Sequence, residues 1–148
     1  MPAQRTVDRK LSRKSDQRQI LIRTLVTQLI ENGQLTTTAP KAKAVKHYAE
    51  KLISSAVKGG LARRRKAIAK LDTVYAVNRL FDLIAPQMKR TSGFLTSSPA
   101  VERQGDNSPM VALKFVDEVS DELPKKSDKA YAPKKDSTKK TAKTKESK

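Results

Sequence analysis

The chain has 148 residues, 32 of them Lys or Arg and 15 Asp or Glu, for a formal charge of +17. It has no Cys and one His, which excludes a disulfide framework, Cys-ligated zinc, a thiol nucleophile and any two-His metal site. No apolar run approaches the roughly 18–20 residues of a membrane span, and a charge this far from neutral points to a polyanionic partner.

The charge is unevenly spread. Residues 1–116 hold 22 basic and 8 acidic side chains, net +14, whereas residues 117–148 hold 10 and 7, net +3. Only 6 of those last 32 residues are apolar. That is too few to offset the roughly 1–2 kcal/mol per residue lost on ordering a backbone. The chain therefore reads as a basic arm over residues 1–14, a globular domain over 15–116, and a charged low-complexity tail over 117–148 that is disordered in isolation. Met1 to Lys14 contains no apolar segment, which weighs against a secretory signal.

In chain order, the first predicted helix starts near Ser15, a residue able to cap it, and ends at Asn32-Gly33. Ile22, Leu25, Val26, Leu29 and Ile30 recur at helical spacing, and Ile20 and Leu21 widen the stripe toward burial over much of the girth. Leu35 to Thr38 reads as a short extended segment because β-branched Thr is stiff. Pro40 suits the first position of a second helix, whose stripe is Ala42, Val45, Ala49, Leu52, Ile53 and Ala56 and which stops at Gly59-Gly60. A third helix spans about Leu61 to Leu71. A fourth, capped by Asp72 or Thr73, turns Val74, Val77, Leu80, Phe81 and Ile84 inward and is stopped by Pro86. Leu95 to Pro99 makes a poor strand, Gly105 to Pro109 is a turn cluster, and Met110 to Val116 alternates as the best strand in the chain. The expected class is α+β, about four helices packed with a small mixed sheet.

Candidate binding residues are all basic. Arg5, Arg9, Lys10, Arg13, Lys14, Arg18 and Arg23 arrive every few positions with little apolar between them in the arm, a pattern that gains phosphate contacts and counterion release in a nucleic-acid groove. Lys41, Lys43 and Lys46 open the second helix, where a phosphate would reverse the unfavourable effect of cations at a helix start. Arg63, Arg64, Arg65 and Lys66 form the densest run and point all round a helix. Arg64 falls within the apolar arc of Leu61, Ile68 and Leu71. The favoured explanation is a lightly packed helix largely covered by a partner, with snorkelling of Arg64 as the alternative. His47 is a lone surface or packing residue, no paired-carboxylate or Walker spacing is present, and Phe81, Phe94 and Phe115 are core residues rather than a base-stacking platform.

These pieces together resemble the bacterial large-subunit ribosomal protein seventeen family, from about Arg9 to Val116. The resemblance rests on Arg9-Lys10-Leu11-Ser12-Arg13, Leu29-Ile30-Glu31, Thr37-Thr38 followed by Lys41-Ala42-Lys43, Ala49-Glu50-Lys51-Leu52-Ile53, Arg64-Arg65, Leu80-Phe81, Ile84-Ala85-Pro86, and Gly105-Asp106 with Pro109-Met110. Asp8 stands where the family carries Gly, Gln34 where it carries a basic residue, and the tail lies outside the likeness. The resemblance implies a structural, non-catalytic protein without cofactor. Its partners would be large-subunit ribosomal RNA and neighbouring large-subunit proteins, with no membrane and no small-molecule substrate. Its place would be a cytoplasmic ribosome, with an organellar one as the alternative. The competing reading from composition is a histone-like DNA-compacting protein, but the seven acids in the tail dilute attraction to DNA.

Overall fold

The computed structural model describes residues 10–117 and Val119. The elements run α1 (Ser15–Asn32), β1 (Gln34–Thr38), α2 (Ala39–Val57), α3 (Leu61–Ile68) and α4 (Val74–Asn78). The fourth helix continues unbroken through a π-helical stretch (Arg79–Ile84) and a last α turn (Ala85–Gln87), before β2 (Leu95–Ala100) and β3 (Met110–Phe115). The class is α+β, as expected.

α1 ends on Gly33 in the left-handed region (φ 73°), whose N–H donates to the Leu29 carbonyl. A residue with a Cβ is disfavoured there, so the glycine sets the turn into β1. At the other end Lys14, not Ser15, precedes the first helical residue, and no side chain caps it. Val26, Leu29 and Ile30 are fully buried, while Ile20 is 62% exposed. The first turns of α1 therefore project past the core, and the helix is not buried over most of its girth.

α2 is the central element. It packs against α1, the sheet, α3 and the fourth helix. Its buried residues are Ala42, Val45, Ala49, Leu52, Ile53 and Ala56, the stripe the periodicity predicts. Pro40 is its second residue rather than its first, still within the turn where a missing N–H costs nothing.

The third helix departs from expectation. It ends at Ile68, and its inner face is Ala67 with Leu71 beyond its end, whereas Leu61 and Ile68 are 65% and 50% exposed. Arg64 shares the spacing of Ala67 and Leu71, so it faces the fold. It has a partner there: its guanidinium donates to both carboxylate oxygens of Asp82 (3.1 and 3.0 Å) and to Asn78 Oδ1 (2.8 Å), and lies 5.8 Å from the Phe81 ring centroid. This intramolecular pairing accounts for the inward position of Arg64, and it leaves Leu61 and Ile68 on the outer face of the helix.

Thr73 caps α4 by accepting the Ala76 N–H (3.2 Å). Val77, Leu80, Leu83 and Ile84 are buried, whereas Val74 is 65% exposed. Pro86 does not stop the helix. The preceding turn widens so that the Ala85 N–H bonds the Leu80 carbonyl five residues back, and Ala85 stays helical. Such a turn moves backbone carbonyls away from the proline ring, which would clash in a regular α-helix.

The sheet order is β1-β3-β2 and every pairing is antiparallel, so the sheet is not mixed. β2 and β3 are consecutive antiparallel neighbours joined through residues 101–109. In that loop Asp106 accepts from Arg103 Nε (3.0 Å), Ser108 Oγ (2.6 Å) and Ser108 N–H (3.3 Å). Hydrogen bonds from Arg103 and Ser108 hold the Asp106 carboxyl well below the usual carboxylate range. β2 is a full six-residue strand, Leu95 opposite Phe115 through Ala100 opposite Met110. Pro99 is tolerated because β2 is an edge strand. Val116 lies just beyond β3, its N–H donating to the Phe94 carbonyl (3.0 Å). Leu35, Thr37, Leu95 and Leu113 share the face toward the helices, and Phe94 completes the core at 1% exposure.

Asp117 and Val119 remain attached to this body. Asp117 accepts from the Lys89 N–H (3.3 Å) and Arg90 Nε (3.4 Å), and Val119 packs against the core. The rest of the tail, and the arm before Lys10, lie outside the described residues.

Candidate nucleic-acid interface

The arm joins the domain through a tight turn. Leu11 and Ser12 both adopt positive φ (50° and 52°), and the Arg13 N–H donates back to the Lys10 carbonyl (3.1 Å). Arg13 Nη1 donates to the Leu11 carbonyl (3.1 Å), which folds its guanidinium back onto the turn. The turn lies against the beginning of α2, where Leu11, Ser12 and Arg13 line one concavity with Thr38, Pro40 and Lys41. The fold thus brings the arm's root and Lys41 at the start of α2 together, residues nearly thirty apart in sequence. Lys43 on the next turn is exposed and Lys46 half-buried. Arg5 and Arg9 lie outside the described residues.

Arg18 and Arg23 sit further along α1. Arg23 is committed to structure: Nη2 donates to the Leu71 carbonyl (2.5 Å), and Nε lies 2.6 Å from Asp72 Oδ1. That N–H does not point along the Asp72 contact, so the pair is ionic rather than hydrogen-bonded. Beside it, buried Thr27 donates to the Arg23 carbonyl (3.0 Å) and accepts the Asp72 N–H (3.1 Å), binding α1 to the turn before α4. Arg18 is half-buried and opens onto a cleft of about 460 Å³ between α1, Tyr48 of α2 and the residues after α3.

The four-cation run divides by role. Arg63 Nη1 donates to the Lys58 and Gly59 carbonyls (3.2 and 2.8 Å), closing the end of α2. Arg64 holds Asp82 and Asn78. Arg65 and Lys66 are exposed, and neither side chain has an ion-pair or hydrogen-bond partner among the described residues. Sequence reasoning missed Lys70, which follows α3 and places its ammonium 5.7 Å from the Tyr48 ring centroid. Its isolation between Ala69 and Leu71 gave no charge-run signal. Tyr48 is half-buried, and burial pushes its phenol above its ordinary value of 10.0, with Arg23 acting in the opposite sense.

Among the described residues no group of three or more His, Cys, Asp or Glu could hold a metal ion, and no helix is long and apolar enough to cross a membrane. His47 is exposed.

The profile of the family described as ribosomal protein L17 matches residues 21–116. The chain belongs to that family. Large ribosomal subunit protein bL17 of Rhodopseudomonas palustris strain TIE-1 is 40% identical over 116 residues, covering 78% of this chain and 84% of the relative. The same protein of strain ATCC BAA-98 / CGA009 gives the same figures, and that of strain BisB5 is 39% identical with 85% of its length covered. The matched family region begins within α1 and ends just after β3, so the described fold is the fold of an L17-family domain.

Proposed function

We propose that the chain is a structural, non-catalytic protein of the large ribosomal subunit that binds large-subunit ribosomal RNA and acts on ribosomes in the cytoplasm, beside neighbouring large-subunit proteins. The observation that carries the reading is the division of its cations within an L17-family domain. Arg23, Arg63 and Arg64 are used internally, while Lys10, Lys14, Lys43, Arg65 and Lys66 are exposed without an ion-pair partner among the described residues. Exposed, unpaired cations bind phosphate with little loss of existing contacts, and their counterion release drives association. Arg13, Arg18, Lys41 and Lys46 add to these cations at the arm's root and along α1 and α2, and Arg5 and Arg9 do so by sequence. Arg23 and Arg64 serve this binding by positioning the helices.

The reading is tested with the full chain and purified large-subunit ribosomal RNA. A protein that neutralises several phosphates loses roughly 10³–10⁵ in affinity between 50 and 200 mM salt. Exchanging Arg65 and Lys66 together for Glu is expected to weaken binding and leave the circular dichroism spectrum unchanged. Equal affinity for random duplex DNA, or failure to co-sediment with large subunits at low salt and high magnesium, would sink it.

A further inference from the structure

The cleft between α1, α2 and the end of α3 has the chemistry of a nucleotide site. Its walls are apolar where Ile22, Tyr48 and Ala69 meet, and Gln19 offers an amide able both to donate and to accept. Arg18 and Lys70 stand at its edges, and among the described residues neither has an ion-pair partner. Asp16 is the one carboxylate lining it. Arg23 also lines it but is neutralised by Asp72. The space, about 460 Å³, exceeds one aromatic ring system and leaves room for an attached sugar.

We infer that this cleft receives a single unpaired base extruded from RNA, stacked on Tyr48, with its flanking phosphates held by Arg18 and Lys70. The inference rests on the RNA-binding reading above and deepens it. Bases in loops and bulges are recognised by stacking on aromatic rings and by hydrogen bonds to their edges, which a duplex does not expose. Lys70 supplies the exchange. Its ammonium rests near the face of Tyr48. A single cation over a half-buried ring is held more weakly than one paired with a phosphate, so the ammonium leaves the ring for a phosphate as the base takes the ring face. An acidic peptide would satisfy Arg18 and Lys70 but would leave the aromatic wall and the Gln19 amide unused.

The test uses the full chain, short single-stranded RNAs of A, U, G and C, a mixed-sequence RNA duplex, and a poly-glutamate peptide. Methyl resonances of Ile22 and Ala69 report on the cleft, and affinities are read in parallel. Tyr48→Leu removes the aromatic face while keeping apolar bulk, and Ala69→Trp fills the cleft from an exposed position. Each variant is expected to weaken single-strand binding by about tenfold, the scale of one lost base–aromatic stack, with duplex binding unchanged. Methyl shifts should appear with single strands and not with the duplex. If single strands bind without moving these methyls, or if both variants bind them as the parent does, the cleft assignment is wrong while the RNA-binding reading stands. Tighter capture of poly-glutamate than of RNA at the same methyls would overturn it in favour of an acidic protein partner. If no RNA binds anywhere on the chain, both readings fall.

Discussion

Arg64 shows how a single side chain changes the meaning of a charge run. Four consecutive cations on a short helix invite a polyanion, yet one of them is bidentate to Asp82, bonded to Asn78 and set against Phe81. The geometry is the kind in which an exposed ion pair does contribute, because the planar guanidinium matches both carboxylate oxygens. With both partners more than a third exposed, the coupling should be modest, on the order of 1 kcal/mol. A double-mutant cycle on Arg64→Ala and Asp82→Ala, read by urea unfolding, measures it; a coupling indistinguishable from zero would remove Arg64 as the organiser of the α3–α4 junction. Arg64→Lys should recover little, since a point charge cannot span two oxygens and Asn78 together. Substitution of Arg64 by Glu is for the same reason a poor probe of nucleic-acid contact: it sets like charges facing at Asp82 and perturbs packing along with binding. Arg65 and Lys66 carry no such burden.

At the scale of elements, the junction before α4 has a comparable role. Thr73 accepts the Ala76 N–H and donates to Glu31 Oε1 (2.5 Å), so one hydroxyl both caps a helix and ties it to the last turn of α1. Thr73→Ala is expected to cost about 1 kcal/mol, the usual loss for a removed N-cap, whereas Thr73→Ser should cost much less; equal thermal midpoints for the Ala variant and the parent would show that the cap is dispensable. Which elements were legible follows from where their determinants lie. The α2 stripe was readable because all six buried positions sit within one long helix, where periodicity and burial are the same fact. The Gly33 stop was readable because the backbone itself demands a left-handed residue. The face of α3 was not, since Leu61 and Ile68 count as apolar in any local pattern and the group that turns Arg64 inward lies 18 residues away. β2 was unreadable for a related reason: Leu95 to Ala100 has little strand propensity of its own and is held by its ladder to β3. The wide turn before Pro86 leaves no residue-type signal. The cations of the candidate interface could be named from sequence, but their separation into paired and free could not, and the Tyr48 cleft needs three elements in place before it exists.

For the whole molecule, the open matter is where the domain ends. Composition divides the chain at Val116, yet the folded contacts reach Asp117 and Val119. Asp117 is largely shielded at 17% side-chain exposure, and it links the segment after the fourth helix to the end of β3 through Lys89 and Arg90. A carboxylate held by a backbone N–H and a guanidinium contributes even when the guanidinium is half exposed. The residues beyond Val119 have few apolar groups with which to add stability, and their charges are mixed. Two shortened chains separate these contributions. One ending at Val119 should unfold at the same temperature as the full chain. One ending at Val116 should lose on the order of 1 kcal/mol, a fall of several degrees in Tm for a domain of this size. Asp117→Asn in the full chain should reproduce part of the loss, because the amide oxygen still accepts the Lys89 N–H but the charge facing Arg90 is gone. If the chain ending at Val116 melts with the full chain, Asp117 closes nothing and the compositional boundary is also the physical one. If the chain ending at Val119 melts lower, the mixed-charge tail contributes stability that its composition does not predict.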